Sequence, residues 1–94
     1  MGPEKTFEKK VRAWLESRGA WVLKTISEGR QEAGVPDLLI CYKGQFVALE
    51  LKSETGAVRP LQEYKIKQIN DAGGLAMIVR PSDWDNVRAI LEDM

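Results

Sequence analysis

The chain contains no histidine and a single cysteine, Cys41. Without His there is no Ser-His-Asp triad, no imidazole general base and no His-ligated zinc. One Cys allows neither an intrachain disulfide nor a CxxC zinc site. It suits a reducing compartment, so a cytoplasmic location is expected. No apolar run nears the ~18–20 residues needed to cross a bilayer. Residues 1–10 lack the apolar stretch a signal peptide needs. Neither sign of charge is in excess, with 14 Lys and Arg against 14 Asp and Glu. The overall basic surplus that marks many nucleic-acid-binding domains is therefore missing. Hydrolytic chemistry here would rest on carboxylates, Lys, Ser, Thr or Tyr, or an oxygen-ligated metal.

What is present fits one folded domain over residues 1–94, with 44% hydrophobic and 30% charged residues. A second domain would have too little core to stand alone. The charge is unevenly spread. Residues 1–31 carry a net +3, residues 32–60 a net −1 and residues 61–94 a net −2.

Phe7, Val11, Trp14 and Leu15 recur at helical spacing and predict an amphipathic helix over residues 4–17, stopped by Gly19. Residues 21–26 are apolar and β-branched and read as a strand. A polar, Gly-punctuated loop follows. Residues 37–42 contain Leu38-Leu39-Ile40-Cys41, which reads as a strand covered on both faces. Lys43-Gly44 signals a tight turn, and residues 45–52 alternate as the returning strand. Pro60 suits the first position of a helix that Gly73-Gly74 ends. Residues 75–79 read as a strand, and Ser82 with Asp85 as a capping-box-like start of a last helix. The expected order is α-β-β-β-α-β-α. It gives an α/β chain with a mixed sheet, its last strand returning through a helical crossover.

The centre of the chain carries the chemistry. With Lys43-Gly44 as a two-residue hairpin loop, Tyr42 pairs with Gln45 and Leu38 with Leu49, and Asp37 falls opposite Glu50. Opposed like charges destabilise a sheet. A three-residue loop would shift the register by one and remove the coincidence. Lys52 lies two residues beyond Glu50 and projects on the same face. A shared proton, Lys52 or a hard divalent cation would offset the repulsion. Carboxylate oxygens are the ligands Mg²⁺ and Mn²⁺ prefer. A Lys beside them suits phosphodiester cleavage, where charge develops on the phosphate. Taken alone, such a trio is ordinary surface charge. Two features add weight. Pro36 fixes the placement of Asp37 at the strand start. Gln62 sits in the first turn of the helix after Lys52, where its amide can bond a carboxylate and a water.

Together, Gly34-Val35-Pro36-Asp37, Glu50-Leu51-Lys52 thirteen residues after Asp37, Thr55-Gly56, Gln62 ten residues after Lys52, and helical Glu8 form a pattern. It resembles the virus-type replication-repair nuclease domain (VRR-NUC) of the PD-(D/E)xK nuclease superfamily. The resemblance spans nearly the whole chain. It implies a restriction-endonuclease-like core and a DNA endonuclease dependent on Mg²⁺ or Mn²⁺. By this resemblance Asp37, Glu50 and the main-chain carbonyl of Leu51 hold the metal, and Lys52 is the catalytic lysine. Gln62 supports the metal-bound water or Lys52. Glu8 completes the acidic site, through a second metal or a water. Arg59 stands where many relatives have a small helix-capping residue. Stand-alone relatives look like homodimers that cut branched DNA such as four-way (Holliday) junctions. A DNA-repair setting, a bacterial or phage-infected cell and a helicase-type partner belong to the same expectation.

DNA contact needs cations. Lys5, Lys9, Lys10, Arg12, Lys24 and Arg30 are the candidates from the basic first third. Arg30, in the loop before Asp37, is the first choice near the scissile phosphate. At least one of Trp14, Trp21 and Trp84 is expected in a dimer interface. With Glu8, Asp37 and Glu50 assigned to the site, 14 basic residues face 11 acidic ones elsewhere, so neutrality does not exclude nucleic acid. The alternatives are a non-catalytic DNA-binding module on the same fold, and a small adaptor whose acids are only surface charge.

Overall fold

The computed structural model describes residues 2–26 and 32–94. Its elements are α1 (Pro3–Ser17), β1 (Trp21–Lys24), β2 (Leu38–Tyr42), β3 (Gln45–Leu51), α2 (Pro60–Asp71) and β4 (Leu75–Val79). A 3₁₀ turn at Pro81–Asp83 then leads into α3 (Trp84–Glu92). The sheet runs β1-β2-β3-β4. β1, β2 and β3 form an antiparallel meander, and α2 carries the chain across to β4, which is parallel to β3. The expected order of elements is the observed one.

The hairpin has the two-residue loop expected. Lys43 (φ 51°) and Gly44 (φ 76°) both adopt positive φ, as a type I′ turn requires. Tyr42 therefore pairs with Gln45 and Leu38 with Leu49. The Lys43 ammonium donates to the carbonyls of Glu92 (3.3 Å) and Met94 (3.0 Å), so the hairpin tip satisfies the end of α3.

Alternation and register divide the sheet residues between two faces. Leu38, Ile40, Tyr42, Val47, Leu49 and Val79 face α1 and α3, and are buried with Phe7, Val11, Leu15, Trp84, Val87 and Leu91. Trp84 is the keystone. Its ring meets Phe7 (6.5 Å) and Trp14 (5.6 Å) edge-on and joins α3 to α1.

α2 lies on the opposite face but covers only the β3–β4 half. There a Cβ on Gly74 would meet Ile69 Cγ2 at 2.8 Å and Phe46 Cδ2 at 3.1 Å. β4 is an edge strand, and the Asn70 amide both donates to the Ala76 carbonyl (3.0 Å) and accepts from its N–H (2.8 Å). That occupies backbone groups an exposed edge would leave open.

This corrects the reading of β2 as a strand covered on both faces. β3 is buried on both sides at Val47, Ala48, Leu49 and Glu50, whereas β2 alternates and leaves Cys41 exposed. Four smaller corrections concern element ends. β1 stops at Lys24, and β3 stops at Leu51. Asp37 stands just before β2, its carbonyl bonded to the Thr25 N–H and its carboxylate, rather than its backbone, facing the Leu51 N–H. Ser82 does not cap α3. Its N–H and hydroxyl go to the Glu54 carboxylate (2.6 and 2.8 Å), and Asp83 accepts the Arg80 N–H (2.9 Å) to form the 3₁₀ turn.

Candidate active site

Between α1 and the ends of the strands lies an open cleft of about 990 Å³. α1 supplies one wall through Lys5, Glu8, Lys9, Arg12, Ala13 and Glu16, which follow a single helical stripe beside the buried one. The floor is Lys24, Asp37, Glu50, Leu51 and Lys52, with Gly56 and Gln62 at the far rim.

Backbone chemistry sets Asp37. Gly34 has φ +83°, and a Cβ there would strike the Leu61 Cγ and carbonyl oxygen at 2.8 Å. Only glycine satisfies both demands. Pro36 is fully buried. The Asp37 carbonyl accepts the Thr25 N–H (2.8 Å), and the Thr25 hydroxyl lies within bonding distance of the Pro36 (2.9 Å) and Asp37 (3.2 Å) carbonyls. The carboxylate then aims across the hairpin, where Oδ2 accepts the Leu51 N–H at 2.9 Å.

Glu50 is only 3% exposed, the one charged residue in the core among those described. Its Oε2 accepts from Gln62 Nε2 (2.7 Å) and lies 3.4 Å from Lys52 Nζ. Its Oε1 is buried with no hydrogen-bond partner. Burial pushes the Glu50 carboxyl up from its ordinary range, and the Asp37 charge pushes it further, against the pull of Lys52. The expected opposition of two acids is thus present, with one oxygen left unsatisfied.

Gln62 serves two purposes. While Nε2 holds Glu50, its Oε1 accepts the Arg59 N–H at 3.0 Å. Arg59 has no side-chain cap to offer, so Gln62 satisfies the first orphan donor of α2. The same amide ties that helix start to the buried acid.

Glu8 does not converge with Asp37 and Glu50. Its Oε1 lies 2.9 Å from Lys24 Nζ, which in turn lies 3.7 Å from Asp37 Oδ1. Arg12 approaches the other Glu8 oxygen at 3.9 Å. Among the described residues, no three Asp, Glu or Cys side chains gather closely enough to hold a metal unaided. Of the expected DNA contacts, Lys5, Lys9, Arg12 and Lys24 line the cleft. Lys10 is exposed outside it, and Arg30 falls outside the described residues.

The sequence matches no protein-family model and no curated protein. Its structure is similar to a solved structure described as a "VRR_NUC domain", with a TM-score of 0.76 over 95% of this chain and 94% of that one, at 23% identity. The chain has the VRR-NUC fold. In that fold two supporting residues went unread in the sequence. Thr25 pins the backbone of Asp37, as above. Arg80, at the end of β4, places Nη1 against the carbonyls of Ser53 (2.6 Å), Gly56 (2.8 Å) and Glu54 (3.3 Å). It clamps the loop that follows Lys52, and the Glu54–Ser82 bonds fasten the same loop from the other side. A Cβ on Gly56 would lie 3.7 Å from Lys52 Cδ, so this loop is the wall against which the lysine stem rests.

Proposed function

We propose that the chain is a divalent-metal-dependent DNA endonuclease that hydrolyses phosphodiester bonds in branched DNA such as four-way junctions. The carrying observation is Glu50, a buried carboxylate with one unpartnered oxygen, held beside Asp37 and Lys52 at the floor of a cleft with a cationic wall. An orphaned, desolvated acid opposite a second acid costs the fold free energy, and a hard cation removes that cost. The donor set fits Mg²⁺ or Mn²⁺. Asp37 and Glu50 would hold the ion together with the Leu51 carbonyl, water completing the shell. When bound, such an ion polarises the phosphate and makes its bound water acidic.

The chain's own groups do the rest. Gln62 fixes the rotamer of Glu50 through Oε2, which leaves Oε1 free for the ion. Lys52 keeps its ammonium 3.4 Å from the same carboxylate, where it can orient a water or neutralise charge on the phosphate as it builds. Lys5, Lys9 and Arg12 give the wall along which a DNA backbone would run.

The test is a cleavage panel on duplex, flap, fork and four-way junction DNA, with Mg²⁺, Mn²⁺ or EDTA. Junction cleavage with metal and none in EDTA is expected. No cleavage of any substrate, together with no metal binding, points instead to a DNA-binding module.

A two-fold junction calls for two sites, and we take the working form to be a homodimer. Trp84 is core and Trp14 packs against it, but Trp21 is 61% exposed. Trp21, Leu23 and Phe46 share the face of the sheet that α2 leaves open, and Leu61 and Tyr64 add exposed apolar area on α2. Apolar area of this kind marks an interaction site. Sedimentation should show a dimer, and Trp21→Glu should yield a folded monomer. A monomeric parent chain at cleaving concentrations would contradict the assembly. A helicase-type partner remains part of the same proposal.

A further inference from the structure

The place between Glu8 and Asp37 is already filled by a cation of the chain itself. We propose that the Lys24 ammonium stands where a second divalent ion would bind, so that the site loads one ion only. This rests on the metal-dependent reading above and specifies it.

Three observations carry it. Lys24 Nζ lies 2.9 Å from Glu8 Oε1 and 3.7 Å from Asp37 Oδ1, bridging two carboxylates from separate elements. An ion shared by these two acids would be seated between them and would overlap the ammonium, since oxygen ligands stand at ~2.0–2.6 Å. By contrast, the free oxygen in the site belongs to Glu50, whose own ion pair is with Lys52. One position is occupied by nitrogen and the other is left with an unsatisfied oxygen. Lys24 ends β1 and reaches Glu8 across the α1 packing surface, so its bridge also holds α1 at a set distance from Asp37. Glu8 is then a positioning residue for Lys24 rather than a metal ligand. With its neighbours Arg12 and Lys24, it keeps a cationic rim next to the ion instead of a second ion.

Mn²⁺ titration, followed by the EPR signal of the free ion, counts the bound ions without any turnover. The parent chain is expected to bind one ion per chain. Lys24→Met keeps the length of the side chain and removes the charge. It is expected to bind two, and Glu8→Gln added to it should restore one. Lys24 is 40% exposed, so the fold should tolerate the change. Lys24→Gln, also uncharged, gives the same count should Met lower stability. A Lys24→Met chain that still binds one ion overturns this inference and leaves the proposed function standing. A parent that binds two ions does the same. A parent that binds none overturns both.

Discussion

Lys52→Ala is expected to lower metal-supported cleavage by at least about 10²–10³-fold, the usual effect of removing one group aimed at developing charge. The fold should survive, because the Lys52 stem lies along the cleft and its N–H remains bonded to the Val79 carbonyl at 3.0 Å. Unchanged cleavage in this variant would sink the assigned chemistry. Asp37→Asn is the companion. It should lose as much activity, yet in EDTA it should be as stable as the parent or more so. The amide oxygen of Asn can still accept the Leu51 N–H that Asp37 now takes at 2.9 Å, while the charge facing Glu50 is gone. The pH dependence has a definite sign. Glu50 is raised, first by burial and second by Asp37. Its contribution to stability is therefore whole below the ordinary Glu range and is lost as pH rises through the raised value. Removing Asp37 lowers that raised value, so the advantage of Asp37→Asn over the parent in EDTA should grow as the pH rises from acid toward neutral. Melting curves by circular dichroism at several pH values read this directly. Added Mn²⁺ should stabilise the parent and not the variant. An adaptor with only surface acids would show neither the pH trend nor the difference with metal.

The hairpin was readable because its evidence is local. Lys43-Gly44 suits only a few turns, a two-residue turn fixes the register, and the register puts Asp37 near Glu50. The open face of β2 was not readable. Leu38-Leu39-Ile40-Cys41 is equally apolar under one layer or two, and where α2 lands is decided by Gly74, Ile69 and Asn70, far along the chain. The site shows the same division. Glu50 and Lys52 sit at and just past the end of one strand and Gln62 in the next helix, and the structure brings them together. The ion pair of Lys24 was not readable, because no sequence rule brings Glu8 within 2.9 Å of it; only the packing of α1 across the end of β1 does so. Arg80 is 27 residues from Ser53, and a charged residue ending a strand carries no local sign of the carbonyls it will meet. Short-range chemistry was thus legible, and the contacts that hold it rigid were not.

That rigidity gives the second large effect. Trp84→Ala should cost about 3–5 kcal/mol, as large aromatic truncations in cores do. For a domain of this size that is a drop in Tm of about 12 °C or more. Total stabilities of ~5–15 kcal/mol leave little margin beyond it. Trp84 is 2% exposed and meets Phe7, the residue just before Glu8, and Trp14, about a turn and a half further along α1. Its loss leaves a void under the helix that forms the cationic wall, so hydrogen exchange should speed up along α1 and α3 together. Trp84→Phe separates volume from chemistry. It keeps a ring against Phe7 and Trp14 and deletes an indole N–H that is buried without a partner. An unpaired buried donor costs ~1–3 kcal/mol, so Trp84→Phe should lose less than about half of what Trp84→Ala loses. Equal losses in the two variants would mean that the wall is held by the indole edge, not by the bulk of the ring. A loss in Trp84→Ala below about 1 kcal/mol would mean that α1 is anchored elsewhere, through Val11 and Leu15 on the sheet.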